Sequence, residues 1–149
     1  MKLVMVCEDN GSSLIATEIG KNYENWDVYC SYNWLDIRSW VELDPGAKTF
    51  DAFVFDLFVP TYGLPILNGQ AYDVDRDGSP SLYYINNFFV EQFSELKNRI
   101  IICSAFFEHF MEKKKEHLYA DYIKISKYDE NYPNNLIDKI NELANLKRG

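Results

Sequence analysis

Short apolar runs alternate along the chain with segments in which apolar residues recur at helical spacing. Three of the runs are nearly continuous stretches of aliphatic or aromatic residues, which is typical of strands that are buried on both faces. The runs predict five β-strands at Leu3–Cys7, Trp26–Tyr32, Ala52–Asp56, Ile100–Ser104 and Tyr122–Ser126.

The segments between the runs predict helices. The clearest is the last, where Leu136, Ile137, Ile140, Leu143 and Ala144 share one face. The first, around Ser12–Asn22, has the weakest periodicity, and Ser12 or Ser13 is a candidate cap. The other three are predicted from the apolar sets Trp34, Ile37, Trp40 and Val41; Leu82, Ile85, Phe89, Phe93 and Leu96; and Phe107, Phe110, Met111 and Leu118. Strands that alternate with helices predict an α/β fold with a parallel sheet covered on both faces.

One stretch, Thr61–Pro80, interrupts the alternation. It contains four pairs of turn-forming residues and no sustained hydrophobic period. We therefore expect a long loop insertion at about 61–80, after the third strand. Loops of this length in a compact domain are uncommon and tend to be functional or mobile.

Composition and charge narrow the functional classes. With 149 residues, of which 47% are hydrophobic, we expect one folded domain over residues 1–149. The net charge of -8 argues against direct binding to nucleic acid. No signal peptide or membrane span is evident, and the widely spaced Cys7, Cys30 and Cys103 suggest reduced, buried thiols. We expect a soluble, cytoplasmic protein.

Polar side chains follow the predicted strands, where the ligand site of an open parallel α/β sheet lies. Glu8 and Asp9 follow the first strand, Asp56 ends the third, and Ser104 ends the fourth. Lys124 or Lys127 lies near the end of the fifth. Carboxylates placed close together repel one another unless a hard cation binds them, and Mg²⁺ uses one or two carboxylates together with a phosphate. This pattern predicts a Mg²⁺ and phosphoryl site.

Three segments resemble the receiver domains of two-component signalling. Leu3–Asn10 is similar to the family's first strand and acidic pair, Asp51–Pro60 to its phosphoacceptor segment, and Arg99–Ala105 to its fourth strand. The resemblance implies a flavodoxin-like, doubly wound sheet of five parallel strands in the order 2-1-3-4-5. It implies a signalling module rather than an enzyme, phosphorylated by a sensor histidine kinase or phosphotransfer protein and acting on an unidentified downstream protein. The implied site consists of Asp56 as phosphoacceptor, Ser104 and Lys127 beside it, and Glu8, Asp9 and Asp56 as Mg²⁺ ligands.

The chain departs from the family in two places. The family's Lys-Pro pair after the fifth strand is missing, so Lys127 is preferred over Lys124 because it lies nearer the strand end. The short Gly-containing turn after the acceptor is replaced by the long loop, where Gly78 is preferred over Gly69 as the matching residue. These departures leave an alternative open, a pseudo-receiver that keeps the fold as a phosphorylation-independent interaction domain.

Overall fold

Five parallel strands form one sheet in the order β2-β1-β3-β4-β5. The computed structural model describes residues 2–9, 15–21, 26–43, 46–73 and 78–146. The strands are β1 Lys2–Cys7, β2 Trp26–Ser31, β3 Ala52–Phe55, β4 Ile100–Ser104 and β5 Ile123–Ser126. The order implied by the family resemblance is confirmed, and the fold is flavodoxin-like.

Helices cover both faces of this sheet. They are α1 Ile15–Gly20, α2 Trp34–Glu42, α3 with consecutive segments Pro80–Tyr84, Ile85–Phe89 and Val90–Gln92, α4 Phe107–Glu112 and α5 Asn134–Ala144. Short 3-10 turns lie at Ala47–Thr49, Ser94–Arg99 and Glu116–Leu118. The candidate caps Ser12 and Ser13 lie outside the described residues. Within the described ranges, no helix has the length and apolar character needed to cross a membrane.

Side chains of β3 alternate between two hydrophobic clusters. Phe53 and Phe55 belong to the cluster formed with α2, α3 and α4. Ala52 and Val54 belong to the cluster formed with α1 and α5. All four residues are fully buried, because successive side chains of a strand point to opposite faces and both faces are covered here.

The third helix differs from its predicted regular form. Residues Ile85–Phe89 are π-helical, and α3 stops at Phe93, whose φ and ψ are -128° and 56°. In a regular helix the Tyr83 carbonyl would accept a hydrogen bond from the backbone N–H of Asn87. Here the side-chain amide of Asn87 donates to that carbonyl at 2.9 Å. Asparagine side chains compete with the backbone in this way, which gives a local reason for the wider turn.

The fourth helix is shorter than the predicted segment, which ran to Leu118. Lys114 has a φ of 57°, and its N–H donates to the Met111 carbonyl. The N–H of Lys115 donates to the Phe110 carbonyl at 2.9 Å. These two bonds form a Schellman motif, which satisfies the last carbonyls of α4 and ends the helix.

The loop after β3 is attached to the neighbouring helices. The Tyr62 carbonyl accepts a hydrogen bond from the Trp34 backbone N–H at 3.2 Å, and the Gly63 carbonyl accepts one from Arg38 at 3.1 Å. Farther along, the Tyr83 hydroxyl donates to the Pro65 carbonyl at 3.1 Å. The described part of the predicted loop is therefore held by α2 on one side and by α3 on the other.

Candidate functional site

The carboxyl ends of β1, β3, β4 and β5 bring the predicted site residues to one edge of the sheet. Phe55 of β3 pairs with Cys7 of β1 and with Ile102 of β4. Ser104 of β4 pairs with Ser126 of β5. Because Glu8, Asp56 and Lys127 directly follow paired strands, this register places them at the same edge.

Asp56 lies just beyond the last residue of β3. Its backbone N–H donates to the Cys7 carbonyl at 2.9 Å, so the hydrogen bonding between β1 and β3 continues for one more residue. Asp56 is 5% exposed. A carboxylate with so little contact with water needs a partner of opposite charge or several donors.

Lys127 supplies the opposite charge. Its Nζ lies 2.9 Å from Oδ2 of Asp56, and the two side chains are 13% and 7% exposed respectively. The backbone N–H of Lys127 donates to the Ser104 carbonyl at 2.9 Å, which fixes the lysine at the end of β4 and β5.

Lys124 occupies a different environment. It is exposed, its Nζ donates to the carbonyls of Ala120 and Tyr122, and it lies 5.9 Å from the centre of the Tyr119 ring. Of the two lysines that the sequence leaves open, Lys127 is the one in contact with Asp56.

The second oxygen of Asp56 is held by the chain that follows it. Oδ1 accepts a hydrogen bond from the Leu57 backbone N–H at 2.7 Å. The carbonyl of Asp56 accepts one from the hydroxyl of Ser81, at the start of α3. Sequence reasoning missed Ser81, because the only local signal is a serine near a helix start and its partner lies 25 residues earlier in the chain.

Glu8 is fully buried and is bonded to α1. Its two carboxylate oxygens accept hydrogen bonds from the backbone N–H groups of Ile15 at 2.5 Å and Ala16 at 3.0 Å. The Cys30 thiol, on β2, donates to the same carboxylate at 3.4 Å. Glu8 therefore satisfies donors at the start of a helix, where a negative charge is favoured.

Asp9 and Ser104 complete the predicted set. Asp9 is exposed and follows Glu8 directly. Ser104 is fully buried, and its Oγ accepts a hydrogen bond from the Phe106 backbone N–H at 3.0 Å. In the parts of the chain that the structure describes, no group of three or more His, Cys, Asp or Glu side chains is arranged to hold a metal ion.

Two phenylalanines follow Asp56 and Ser104 at the same spacing. Phe58 lies two residues after Asp56, and Phe106 lies two residues after Ser104. Their rings meet edge to face at 5.3 Å between centroids, and Phe106 is 50% exposed. They form an aromatic contact between the chain after β3 and the chain after β4.

The charged residues of the site also influence the pKa values of two thiols, Cys103 on β4 and Cys30 on β2. Burial raises the pKa of the Cys103 thiol to about 12, while the Lys127 ammonium lowers it and the Asp56 carboxylate raises it. Burial, together with the Glu8 carboxylate, raises the pKa of Cys30 to about 12. Both residues are therefore protonated thiols at neutral pH.

Similarity to known proteins gives no independent indication of function. No protein-family model, curated protein or solved structure matches this chain.

Proposed function

We propose that the chain is a phosphoacceptor receiver domain of two-component signalling, in which Asp56 accepts a phosphoryl group. The observation that carries this proposal is the ion pair between Asp56 and Lys127, with 2.9 Å between Nζ and Oδ2. It joins the residues after β3 and β5 at the sheet edge where open α/β folds bind their ligands. An aspartate can act as a covalent acceptor, and a fixed ammonium can neutralise the phosphoryl oxygens.

The proposed reaction transfers a phosphoryl group from a phosphohistidine of a sensor kinase or phosphotransfer protein. A carboxylate oxygen of Asp56 attacks the phosphorus, the bond between phosphorus and the histidine nitrogen breaks, and the imidazole leaves with the bonding electrons. An acyl phosphate forms on Asp56. In the phosphorylated state, the Lys127 ammonium would lie beside a phosphoryl group, which carries more negative charge than the free carboxylate. The Ser104 hydroxyl can donate a hydrogen bond to a phosphoryl oxygen.

Mg²⁺ is the cofactor that suits phosphoryl transfer to Asp56. Asp9 and Asp56 provide the hard oxygen ligands that suit it, and two carboxylates together with phosphate oxygens are a usual set for this ion. When bound, the ion would neutralise charge on the phosphoryl oxygens. Glu8 fits less well as a direct ligand, since it is fully buried and its two oxygens accept hydrogen bonds from backbone N–H groups of α1, which it would have to give up to bind a metal ion.

The proposed output is binding to a separate protein rather than turnover of a substrate. Phosphorylation adds charge and acceptor oxygens beside Ser104 and Lys127. Ser104 accepts a bond from Phe106, which directly precedes α4. Movement of the Ser104 hydroxyl on phosphorylation would therefore also move the start of α4. The downstream protein would bind a surface that includes this helix.

The test is uptake of one phosphoryl group by the whole protein. Incubation with Mg²⁺ and acetyl phosphate is expected to add the mass of one phosphoryl group, in a form that is lost on mild alkaline or hydroxylamine treatment. Asp56→Asn should take up none, and omission of Mg²⁺ should prevent uptake. Asp51→Asn, which changes a partly exposed aspartate just before β3, is the matched control and should behave as wild type. Uptake by Asp56→Asn, or none by wild type with any donor, contradicts the proposal.

A second candidate is a pseudo-receiver that binds a partner without phosphorylation. The observation in its favour is that the Glu8 carboxylate already accepts hydrogen bonds from α1 and from Cys30. This candidate predicts that neither Mg²⁺ nor acetyl phosphate changes the amide spectrum of the protein. A shift of the Asp56 and Asp9 amides on addition of Mg²⁺ would decide against it.

A further inference from the structure

Two buried serines lie at the start of α3 and make different contacts. Ser79 and Ser81 are both fully buried, and a buried hydroxyl is costly without a partner. Ser79 caps the helix, because its Oγ accepts a hydrogen bond from the Leu82 backbone N–H at 3.1 Å. Ser81 instead donates to the carbonyl of Asp56.

The Asp56 carbonyl and the Leu57 N–H belong to one planar peptide unit. The carbonyl end of this unit accepts from Ser81, and the N–H end donates to Oδ1 of the Asp56 side chain at 2.7 Å. Because the unit is rigid, fixing the carbonyl also fixes the direction of the N–H. A hydrogen bond to the carbonyl also polarises the unit and strengthens its N–H as a donor.

The Asp56 carboxylate is thus held at both oxygens from different parts of the fold. Lys127, after β5, holds Oδ2 at 2.9 Å. Ser81, on α3, holds Oδ1 indirectly through the peptide unit between Asp56 and Leu57. The helix that follows the long loop is therefore connected to one carboxylate oxygen through two hydrogen bonds.

We propose that Ser81 is a positioning residue that orients the Asp56 carboxylate through the Asp56–Leu57 peptide unit. This inference rests on the proposed function, since it concerns Asp56 as the phosphoryl acceptor. Ser81 itself touches no phosphoryl group in the proposed reaction. It acts by keeping the attacking oxygen in one orientation, and misplacement of a reacting group by about 1 Å can cost about 100-fold in rate.

The experiment compares Ser81→Ala and Ser81→Cys with Ser79→Ala in the full-length protein. Phosphorylation by acetyl phosphate with Mg²⁺ is followed over a range of donor concentrations, and urea unfolding is measured for each variant. Ser81→Ala should lower the maximal rate at least tenfold and leave the half-saturating donor concentration unchanged, because orientation rather than donor binding is lost. Ser81→Cys replaces the hydroxyl by a somewhat larger thiol, which is a weak donor, so it should also be slow.

Ser79→Ala is the matched control for burial and helix stability. It should lower the urea midpoint through loss of the cap and leave the maximal rate at the wild-type value. A wild-type rate for Ser81→Ala, or an equal loss of rate in Ser79→Ala, overturns the inference.

A second measurement separates this inference from the proposed function. Hydrogen exchange and the proton chemical shift of the Leu57 amide report on its bond to Oδ1. Ser81→Ala should speed exchange at this amide by more than its change in global stability explains, and Ser79→Ala should not. If wild-type protein takes up no phosphoryl group, the proposed function fails, while an unchanged Leu57 amide in Ser81→Ala shows that Ser81 does not position Asp56.

Discussion

The contact between Asp56 and Lys127 places two opposite charges where water has little access. Removing charges from water is costly, and their attraction offsets this cost only when the geometry is good. Here Nζ and Oδ2 are 2.9 Å apart and the remaining oxygen accepts from Leu57. Both charges therefore have partners in the folded protein. Removal of either charge would leave the other buried and unpaired, which would lower stability.

Replacement of Lys127 by methionine should lower both stability and phosphorylation. We expect the free energy of unfolding to fall by about 3 kcal/mol, because Asp56 remains buried without its counter-charge. Acetyl phosphate should then modify Asp56 far more slowly. Urea unfolding at neutral pH and intact mass measure the two effects.

Lys124→Met is the matched control, since Lys124 is exposed and has no contact with Asp56 in the structure. It should change stability by less than about 1 kcal/mol. Adding Asp56→Asn to Lys127→Met should recover part of the lost stability, because the uncompensated charge is removed. Equal losses in the two lysine variants would show that the pair has no special role.

At the level of elements, the loop after β3 depends on a close approach to α2. Gly63 has a φ of 83°, and its carbonyl accepts from Arg38. A Cβ at this position would lie 2.4 Å from the backbone nitrogen of Leu35. Glycine is needed here both for its backbone conformation and for the missing side chain.

Gly63→Ala and Gly69→Ala separate these two requirements. Both glycines have a positive φ, but a Cβ at Gly69 would meet nothing within 4 Å. We expect Gly69→Ala to cost about 1 kcal/mol from backbone strain alone. Gly63→Ala should cost about 1–3 kcal/mol more, since the loop or α2 must move. Urea midpoints measure the difference, and equal midpoints would mean that the loop moves away from α2 without cost.

At the level of the whole molecule, burial in a sheet that helices cover on both faces raises the pKa of two thiols. Cys103 is fully buried in β4, and burial raises its pKa from 9.0 to about 12. Cys30 is raised from 9.0 to about 12 by burial and by Glu8. In the unfolded chain, both thiols lose their protons near pH 9.0.

These shifts predict a loss of stability at alkaline pH. Above pH 9.0 the unfolded chain releases thiol protons that the folded chain retains up to about pH 12. Ionisation of these thiols therefore favours the unfolded state, and their contribution to the free energy of unfolding should fall steadily across this interval and stay level below it. Urea unfolding at steps of pH measures the slope.

Cys103→Ala should make this slope shallower, even if it lowers stability at neutral pH. Leu43→Ala truncates an exposed side chain that carries no titratable group and should leave the slope unchanged. An identical slope in wild type and Cys103→Ala would show that this thiol does not titrate differently in the two states.

The α/β class, the existence of all five strands and the polar residues near their carboxyl ends follow from local sequence patterns alone, although the bounds of some strands differ by one residue from those predicted. Nearly continuous apolar runs such as the one in Ile100–Ser104 identify strands that are buried on both faces, and helical spacing in Asn134–Ala144 identifies the last helix. These signals are local, so no tertiary information is needed to read them. The strand order was implied only through the family resemblance.

Which of these groups meet depends on the tertiary structure. Lys127 rather than Lys124 contacts Asp56, Glu8 bonds to α1, and Ser81 reaches the Asp56 carbonyl. The π-helical turn of α3 and the early end of α4 likewise depend on particular side-chain and backbone hydrogen bonds. Hydrophobic periodicity records which residues are buried, whereas these contacts depend on distances between atoms far apart in the chain, which only the folded molecule fixes.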